Sequence, residues 1–172
     1  MKFPPYIIGD RKFTLDHLGS FSMEVLPDKE GAKSIKILVN FHCHCFTEAY
    51  DGIDAHAYHH QGEIRSFSEE RHALSHELPN FIRGIAERKV MFTRETNYLI
   101  VEVIDQDGVK VRYSIFFDLK RARDDHHDLV LTVESAYVKE SLPKHLDKIR
   151  FRILAAKVAQ GQKVRSPRLH QK

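Results

Sequence analysis

The chain has 172 residues, of which 42% are hydrophobic and 30% charged, with a net charge of +3; this balance is typical of one globular domain and excludes a disordered or low-complexity chain. Its apolar runs are short, as at residues 98–101, which excludes a bilayer-spanning helix, and the N-terminal sequence lacks the apolar stretch of a secretory signal peptide. The two cysteines, Cys43 and Cys45, lie too close together to staple a fold, so we expect reduced thiols in a cytoplasmic protein.

The first part of the chain predicts strands followed by a long loop. Residues 13–18 and 21–26 read as two short strands on either side of Gly19 and Ser20. Residues 34–47 predict a longer strand, because apolar side chains alternate along its first half: Ile35, Ile37, Val39 and Phe41. Residues 48–64 contain two glycines and many polar residues, which predicts a long loop.

Two helices are predicted next. Ser66 and Glu69 have the spacing of a capping box, which predicts that a helix begins there and covers residues 67–77. Pro79 is unsuited to a helix interior but suits a first turn, so a second helix is expected over residues 79–88. One apolar face runs through both segments: Leu74, Leu78, Phe81, Ile82 and Ile85.

The second half of the chain predicts an antiparallel meander. Asp107-Gly108 is a strong hairpin signal between residues 97–105 and 109–118, and its register pairs Ile104 with Val111, Ile100 with Ile115 and Tyr98 with Phe117. Residues 129–138 and 148–154 predict further strands, the last with a basic outer face. The expected fold class is therefore α+β, an antiparallel meander sheet with two short helices packed on one face, in a single domain over residues 1–160.

The C-terminal end is strongly basic. Residues 144–172 contain nine lysines or arginines and one acidic residue, so they carry about +8. This asymmetry predicts RNA or another polyanion as a partner of residues 144–172, with a basic, frayed tail over residues 161–172. We expect no membrane partner, and the sequence does not indicate an oligomeric state.

Seven of the twelve histidines lie between positions 42 and 76. Strand alternation would place His42 and His44 on one face and the two cysteines on the other, while His72 and His76 would share one helix face. The set His42, His44 and Glu48 resembles in type and spacing the first metal-binding motif of the cupins. One hypothesis is therefore a site for a transition metal such as Zn, Fe or Ni, centred on His42 and His44, with Glu48 or with His56, His59 or His72 as a further ligand.

A second constellation needs no metal or other cofactor. Arg71 and His72 open the helical region, and Ser135 and Tyr137 lie on the strand 129–138, where alternation predicts that they share one face with Val133. His72 could take the proton from a ribose 2′-hydroxyl, Arg71 could stabilise phosphate charge, and Tyr137 or a second histidine could protonate the leaving oxygen. These four residues predict the catalytic set of a metal-independent ribonuclease, with the RNA backbone held by the basic strand: Lys148, Arg150 and Arg152.

Several segments carry a family resemblance: FHCHCFTEAYD, RHALSHELPNFIRGI, NYLIVEV, RYSIFFDLKRA, LVLTVESAYV and IRFRILA. Together they resemble a family of small uncharacterised bacterial proteins associated with prophages and mobile elements, over roughly residues 35–160. More distantly, helices followed by an antiparallel meander resemble the superfamily that joins barnase with the RelE-type toxin ribonucleases. That resemblance implies roles for His72, Ser135 and Tyr137, although shared folds host many functions.

Three functions are therefore open. The favoured one is a ribonuclease-like enzyme, a toxin or an element of phage defence. The alternatives are a metal-binding protein centred on His42 and His44, and a non-catalytic module that binds nucleic acid or an acidic partner.

Overall fold

The computed structural model describes residues 2–93, 98–106, 108–139, 146–164 and 166. The strands of these residues are β1 (Tyr6–Ile8), β2 (Arg11–Phe13), β3 (Phe21–Val25), β4 (Ile35–Phe41), β5 (Thr47–Ala49), β6 (Ala57–His60), β7 (Glu63–Phe67), β8 (Lys89–Phe92), β9 (Tyr98–Gln106), β10 (Val109–Arg121), β11 (Leu129–Val138) and β12 (Lys148–Arg150). The α-helices are α1 (Glu69–Ser75), α2 (Leu78–Arg83) and α3 (Phe151–Ala159), and short 3₁₀ turns cover Asp16–Leu18, Cys43–Cys45, Asp54–His56 and Ile85–Glu87. Within the described ranges, no helix is long and apolar enough to cross a membrane.

A seven-stranded sheet forms the centre of the molecule, in the order β12-β8-β9-β10-β11-β4-β3. Strands β8 to β11 are antiparallel neighbours in chain order, so the predicted meander is correct for this part. Strand β4 pairs with β11 in parallel, and this makes the sheet mixed instead of a single meander. Parallel pairing needs a long crossover, and the chain between β4 and β11 supplies it.

A smaller three-stranded sheet, in the order β5-β7-β6, occupies the region predicted as a long loop, so that prediction is wrong. Strands β6 and β7 form a hairpin in which His60 pairs with Glu63. Gln61 and Gly62 connect them, and both have positive φ, as a tight two-residue hairpin turn requires. The strands are short and mostly polar, so apolar alternation did not reveal them.

The main core lies between the large sheet and the helices α2 and α3. Phe81 of α2 contacts the ring of Tyr113, and Phe151 of α3 contacts Phe117. Positions 113 and 117 share one face of β10, so both helices pack on that face. Buried residues of β10 and of the neighbouring strands complete this core: Ile37, Val39, Phe41, Ile115, Leu131 and Val133.

The β9–β10 hairpin and strand β11 confirm the predictions most fully. Strand β11 spans the predicted residues 129–138, and the three predicted cross-strand pairs of the hairpin are present. Gly108 has a φ of 82°, which suits the predicted turn, while Asp107 and Asn97 lie outside the described residues.

Three predicted boundaries in the N-terminal half are wrong. β2 ends at Phe13 and a 3₁₀ turn covers Asp16–Leu18, where a strand was expected over 13–18. The first helix is capped by Ser68, whose hydroxyl accepts a hydrogen bond from the Arg71 amide at 3.4 Å. Ser66 lies in β7 instead, and its hydroxyl accepts a hydrogen bond from the Asp51 amide. The second helix stops at Arg83, and a 3₁₀ turn follows at Ile85–Glu87.

The predicted basic strand over residues 148–154 is wrong beyond Arg150. Helix α3 begins at Phe151, and its buried side chains are Phe151, Leu154 and Ala155. This spacing is that of one helix face, whereas a strand would have buried Ile153, which is 40% exposed. The alternation of apolar and basic residues was too short to distinguish the two structures.

Candidate functional site

The main cluster of metal-ligating side chains is built on the turn that follows β4. Directly after β4, the His42 amide still donates to the Val133 carbonyl of β11 at 2.8 Å, and the chain then forms the 3₁₀ turn Cys43–Cys45. The predicted strand over 34–47 is therefore wrong beyond Phe41. The turn nevertheless brings His42 and His44 together, with ring centroids 4.3 Å apart.

A carboxylate from the small sheet joins these residues. Oε2 of Glu63, at the start of β7, lies 3.1 Å from Nε2 of His44 and 3.9 Å from Sγ of Cys43. The Cys43 sulfur lies 3.6 Å from Nδ1 of His42. The ligand atoms of His42, Cys43, His44 and Glu63 all lie within 4.8 Å of one another, and we call this group the turn cluster.

The local environment sets the charges of the turn cluster. Burial, and then the neighbouring His44, lower the pKa of His42. Burial, and then the Glu63 carboxylate, raise the pKa of the Cys43 thiol to about 11. The hydrogen bond from His44 lowers the pKa of Glu63. Near neutral pH the cluster therefore contains a neutral His42 imidazole, a protonated thiol and a carboxylate.

The predicted third ligand, Glu48, is not part of this cluster. It is exposed on β5, where it pairs with Ser66, and Glu63 provides the carboxylate beside the two imidazoles. The spacing from His44 to Glu63 has no local signal, since only the pairing of β5, β6 and β7 brings Glu63 back to the turn. Of the other histidines considered as ligands, His56 lies 3.5 Å from Asp51 and His59 is exposed.

A second histidine group surrounds α1. The ligand atoms of His17, His72 and His76 lie within 4.8 Å of one another, and we call this group the triple-histidine cluster. His17 comes from the 3₁₀ turn Asp16–Leu18, and His76 is the C-cap of α1. The predicted pairing of His72 with His76 on one helix face is thus present, with His17 added from a distant part of the sequence.

The structure brings Arg71 to Tyr137 but directs His72 elsewhere. The Arg71 guanidinium lies 5.0 Å from the centre of the Tyr137 ring, and it donates to the Thr47 carbonyl at 2.6 Å. The Nε2 of His72 lies 2.8 Å from the Thr14 carbonyl, and its ring contacts are with Phe13, Phe67, His17 and His76. The two neighbouring predicted catalytic residues therefore contact different parts of the molecule.

A β-bulge changes the orientation of the predicted residues on β11. The pairing of β10 with β11 shifts between Phe116 and Phe117, and an inserted residue reverses the alternation of side chains. Ala136 therefore joins the core. Simple alternation had predicted that Ser135 and Tyr137 share the face of Val133, and that prediction is wrong. Tyr137 stacks on Phe116, with ring centroids 5.5 Å apart.

The predicted nucleic-acid-binding residues lie around the start of α3, and two of them have acidic partners. Arg150 lies 3.7 Å from an Asp28 carboxylate oxygen. Arg152 pairs with Glu87 and donates to the Leu26 carbonyl at 3.0 Å. Lys148 is exposed on β12. Within the predicted tail, Ser166 is buried and hydrogen-bonds to Asp147, so the chain contacts the domain again at this residue.

Among the comparisons with known proteins, only the one with protein families gives a match. No curated protein and no solved structure matches the chain. A family model does match it, over residues 5–159, from the first strand to the end of α3. That family is uncharacterised, as the sequence resemblance implied, and the match contains no information on prophages or ribonucleases. Because the match covers most of the sequence, the chain belongs to the YjaZ family.

Proposed function

We propose that the protein binds a transition metal ion of the zinc type through the turn cluster of His42, Cys43, His44 and Glu63. The observation that supports this most directly is the convergence of four ligand atoms within 4.8 Å. Two imidazoles, one thiol and one carboxylate are the ligand types that zinc takes in proteins. The same set is less suited to magnesium or calcium, which prefer oxygen ligands alone.

The distances between the ligand atoms support four-coordinate binding. With zinc–ligand bonds of about 2.0–2.3 Å, the ligand atoms of a tetrahedral site lie about 3.3–3.7 Å apart. Three of the separations in the turn cluster are 3.1, 3.6 and 3.9 Å, so only small side-chain shifts are needed to enclose an ion. Two surface clefts lie away from this cluster, one lined by Ser22 and His127 and the other by Arg88 and Arg150.

The backbone around the turn cluster is held by its own hydrogen bonds. The Cys43 carbonyl accepts from the Thr47 hydroxyl at 2.9 Å and from the Phe46 amide at 3.1 Å. The Cys45 thiol points away from the cluster and donates to the Val133 carbonyl. A turn fixed in this way keeps the ligand atoms in place before a metal arrives, which lowers the entropic cost of binding.

The turn cluster is open to solvent on one side. The side chain of Glu63 is 49% exposed and that of His44 is 28% exposed, whereas Cys43 is buried. The exposed side provides an entry path for the ion, and the buried side provides a thiol that becomes a thiolate ligand when the ion displaces its proton. This arrangement fits a protein that takes up a metal ion directly from solution.

Cobalt(II) substitution tests the proposal with a matched pair of variants. A thiolate ligand gives bound cobalt a charge-transfer absorption in the near ultraviolet, which nitrogen and oxygen ligands lack. We expect this absorption in the untagged wild type and in Cys45→Ala, and its loss in Cys43→Ala. Both cysteines are buried, so the two variants remove similar packing. Absence of the absorption in wild type, or its persistence in Cys43→Ala, would overturn the proposal.

A further inference from the structure

We propose that the triple-histidine cluster of His17, His72 and His76 is a second, all-nitrogen site for a divalent transition metal. It shares no residue with the turn cluster, so this inference does not depend on the function proposed above. Three imidazoles are a ligand set that suits zinc, copper and nickel. The hydrogen bonds of His17 and His72 support this site more strongly than the proximity of the three rings alone.

The geometry of α1 and of the 3₁₀ turn Asp16–Leu18 brings the three rings together. His72 and His76 are one helical turn apart, and their ring centroids lie 5.0 Å from each other. The His17 ring lies against that of His76, with centroids 3.7 Å apart and planes only 17° apart. Two stacked imidazoles repel each other when both are protonated, so this arrangement favours the neutral rings that bind metals.

The hydrogen bonds of Ser75 determine which nitrogen of His17 carries the proton. The Ser75 hydroxyl donates its hydrogen to the His72 carbonyl at 2.7 Å. Its oxygen also lies 2.7 Å from Nε2 of His17, so it must accept a hydrogen bond from Nε2–H. Nδ1 of His17 then has a free lone pair, and this atom is buried without a hydrogen-bond partner among the described residues.

His72 is fixed in the same tautomer. Its Nε2 lies 2.8 Å from the Thr14 carbonyl, and a carbonyl oxygen can only accept, so Nε2 carries the hydrogen. Nδ1 of His72 is therefore the nitrogen with the lone pair. Histidines that bind metals in proteins usually donate their other N–H to a carbonyl or another oxygen acceptor, and both His17 and His72 already do so.

The remaining ligand provides access for the ion. His76 is exposed, whereas His72 is only 9% exposed. A metal can reach these lone pairs past the His76 ring, which turns out of its stack with His17 to become the third ligand, because an imidazole binds a metal in the plane of its ring. Three protein ligands leave one position of a tetrahedral ion for water or a small anion, as in metal sites that bind a substrate. The site therefore fits a divalent ion with an exchangeable fourth ligand.

Zinc titration of the untagged protein by calorimetry tests this inference, with His76→Gln and His59→Gln as the matched pair. His59 is exposed and belongs to neither cluster. We expect wild type and His59→Gln to bind about two zinc ions, and His76→Gln to lose one binding event, with at least about a 100-fold loss of affinity there. Binding in His76→Gln indistinguishable from that in His59→Gln would overturn the inference.

The Cys43→Ala variant separates this inference from the proposed function. We expect Cys43→Ala to keep the binding event that His76→Gln removes. If Cys43→Ala has no effect and His76→Gln still removes a binding event, the turn cluster fails and the triple-histidine site stands. If Cys43→Ala removes all zinc binding, the triple-histidine site is contradicted.

Ser75→Ala tests the tautomer argument without removing a ligand. We expect a loss of about 10- to 100-fold in zinc affinity at the triple-histidine cluster, because the acceptor that orients His17 is gone. Ser75→Thr keeps a hydroxyl and should restore most of that affinity. Unchanged affinity in Ser75→Ala would contradict the assigned role of His17.

Discussion

At the scale of single residues, the proton on Cys43 controls the chemistry of the turn cluster. Burial and the adjacent Glu63 carboxylate raise the pKa of the Cys43 thiol to about 11, so the free protein carries a protonated thiol at neutral pH. A metal ion that takes Cys43 as a thiolate ligand must therefore displace this proton. Glu63 needs no such step, because the hydrogen bond from His44 already lowers its pKa.

Metal affinity at the turn cluster should consequently rise with pH. Below the pKa of the thiol, release of one proton strengthens binding by about tenfold for each pH unit. We expect this slope between about pH 7 and 8.5, where the lowered pKa of His42 leaves that imidazole neutral. Zinc titrations in two buffers at each pH measure both affinity and released protons. Equal affinity across this range, with no proton released, would show that Cys43 is not a ligand.

His17 makes the metal-free protein sensitive to acid. Burial, and then the charges of His76 and His72, lower its pKa to about 4, while Asp16 acts in the opposite direction. Between about pH 6.5 and 4 the unfolded chain binds a proton that the folded chain does not, so stability falls as pH falls through this window. We expect the melting temperature in EDTA to drop over this range, and to drop less in His17→Gln. Parallel curves for the two proteins would exclude this role for His17.

At the scale of secondary structure elements, α3 provides the clearest test of the fold. Leu154 is fully buried, whereas the preceding Ile153 is 40% exposed. In a helix these neighbours point in different directions, and in the predicted basic strand Ile153 would have faced the core instead. We expect Leu154→Ala to lower the free energy of unfolding by about 2–5 kcal/mol. Ile153→Ala should change it by less than about 1 kcal/mol. Denaturant unfolding measures both, and the reverse order of effects would favour the strand.

The elements that were predictable are those with a strong local signal. The Asp107-Gly108 sequence between two alternating segments predicted the β9–β10 register correctly, and alternation alone predicted β11. The bulge opposite Phe116 has no such signal, and it moved Ser135 and Tyr137 off the predicted face. A short pattern such as residues 148–154 fits a strand and a helix equally well, so only packing decides.

The candidate site was predictable only where its residues are close together in the sequence. The sequence placed His42 and His44 together, and the structure agrees, although a 3₁₀ turn brings the rings together and not strand alternation. Glu63 and His17 could not be found, because each reaches its cluster only through tertiary contacts with distant elements. Sequence spacing detects ligands that share one element, and it misses those that the fold brings in.

At the scale of the whole molecule, the turn cluster connects the two main sheets. His42 follows β4 of the seven-stranded sheet, and Glu63 begins β7 of the three-stranded sheet. An ion bound between them would hold the sheets together and would stabilise the folded chain by mass action. At a free metal concentration of 100 times the dissociation constant, this stabilisation is about 2.7 kcal/mol.

The ribonuclease activity and the RNA partner remain predictions from the sequence. They require that the untagged protein cleaves RNA in the presence of EDTA, and that Tyr137→Phe slows the cleavage by at least about 100-fold. If RNA binds without cleavage, affinity should fall as salt rises, and Lys148→Ala should weaken it. Intact RNA would contradict the ribonuclease activity, and the absence of salt-dependent binding would contradict the RNA partner.

Thermal unfolding of the untagged protein with zinc and with EDTA tests the central claim most directly, with His42→Ala and His59→Ala as the matched variants. We predict that zinc raises the melting temperature of wild type and of His59→Ala by several degrees, as about 2–3 kcal/mol of ligand stabilisation implies. His42→Ala should lose the part of this increase that the turn cluster supplies, and a further His76→Gln substitution should remove the rest. A melting temperature of wild type that is the same in zinc and in EDTA would contradict the account.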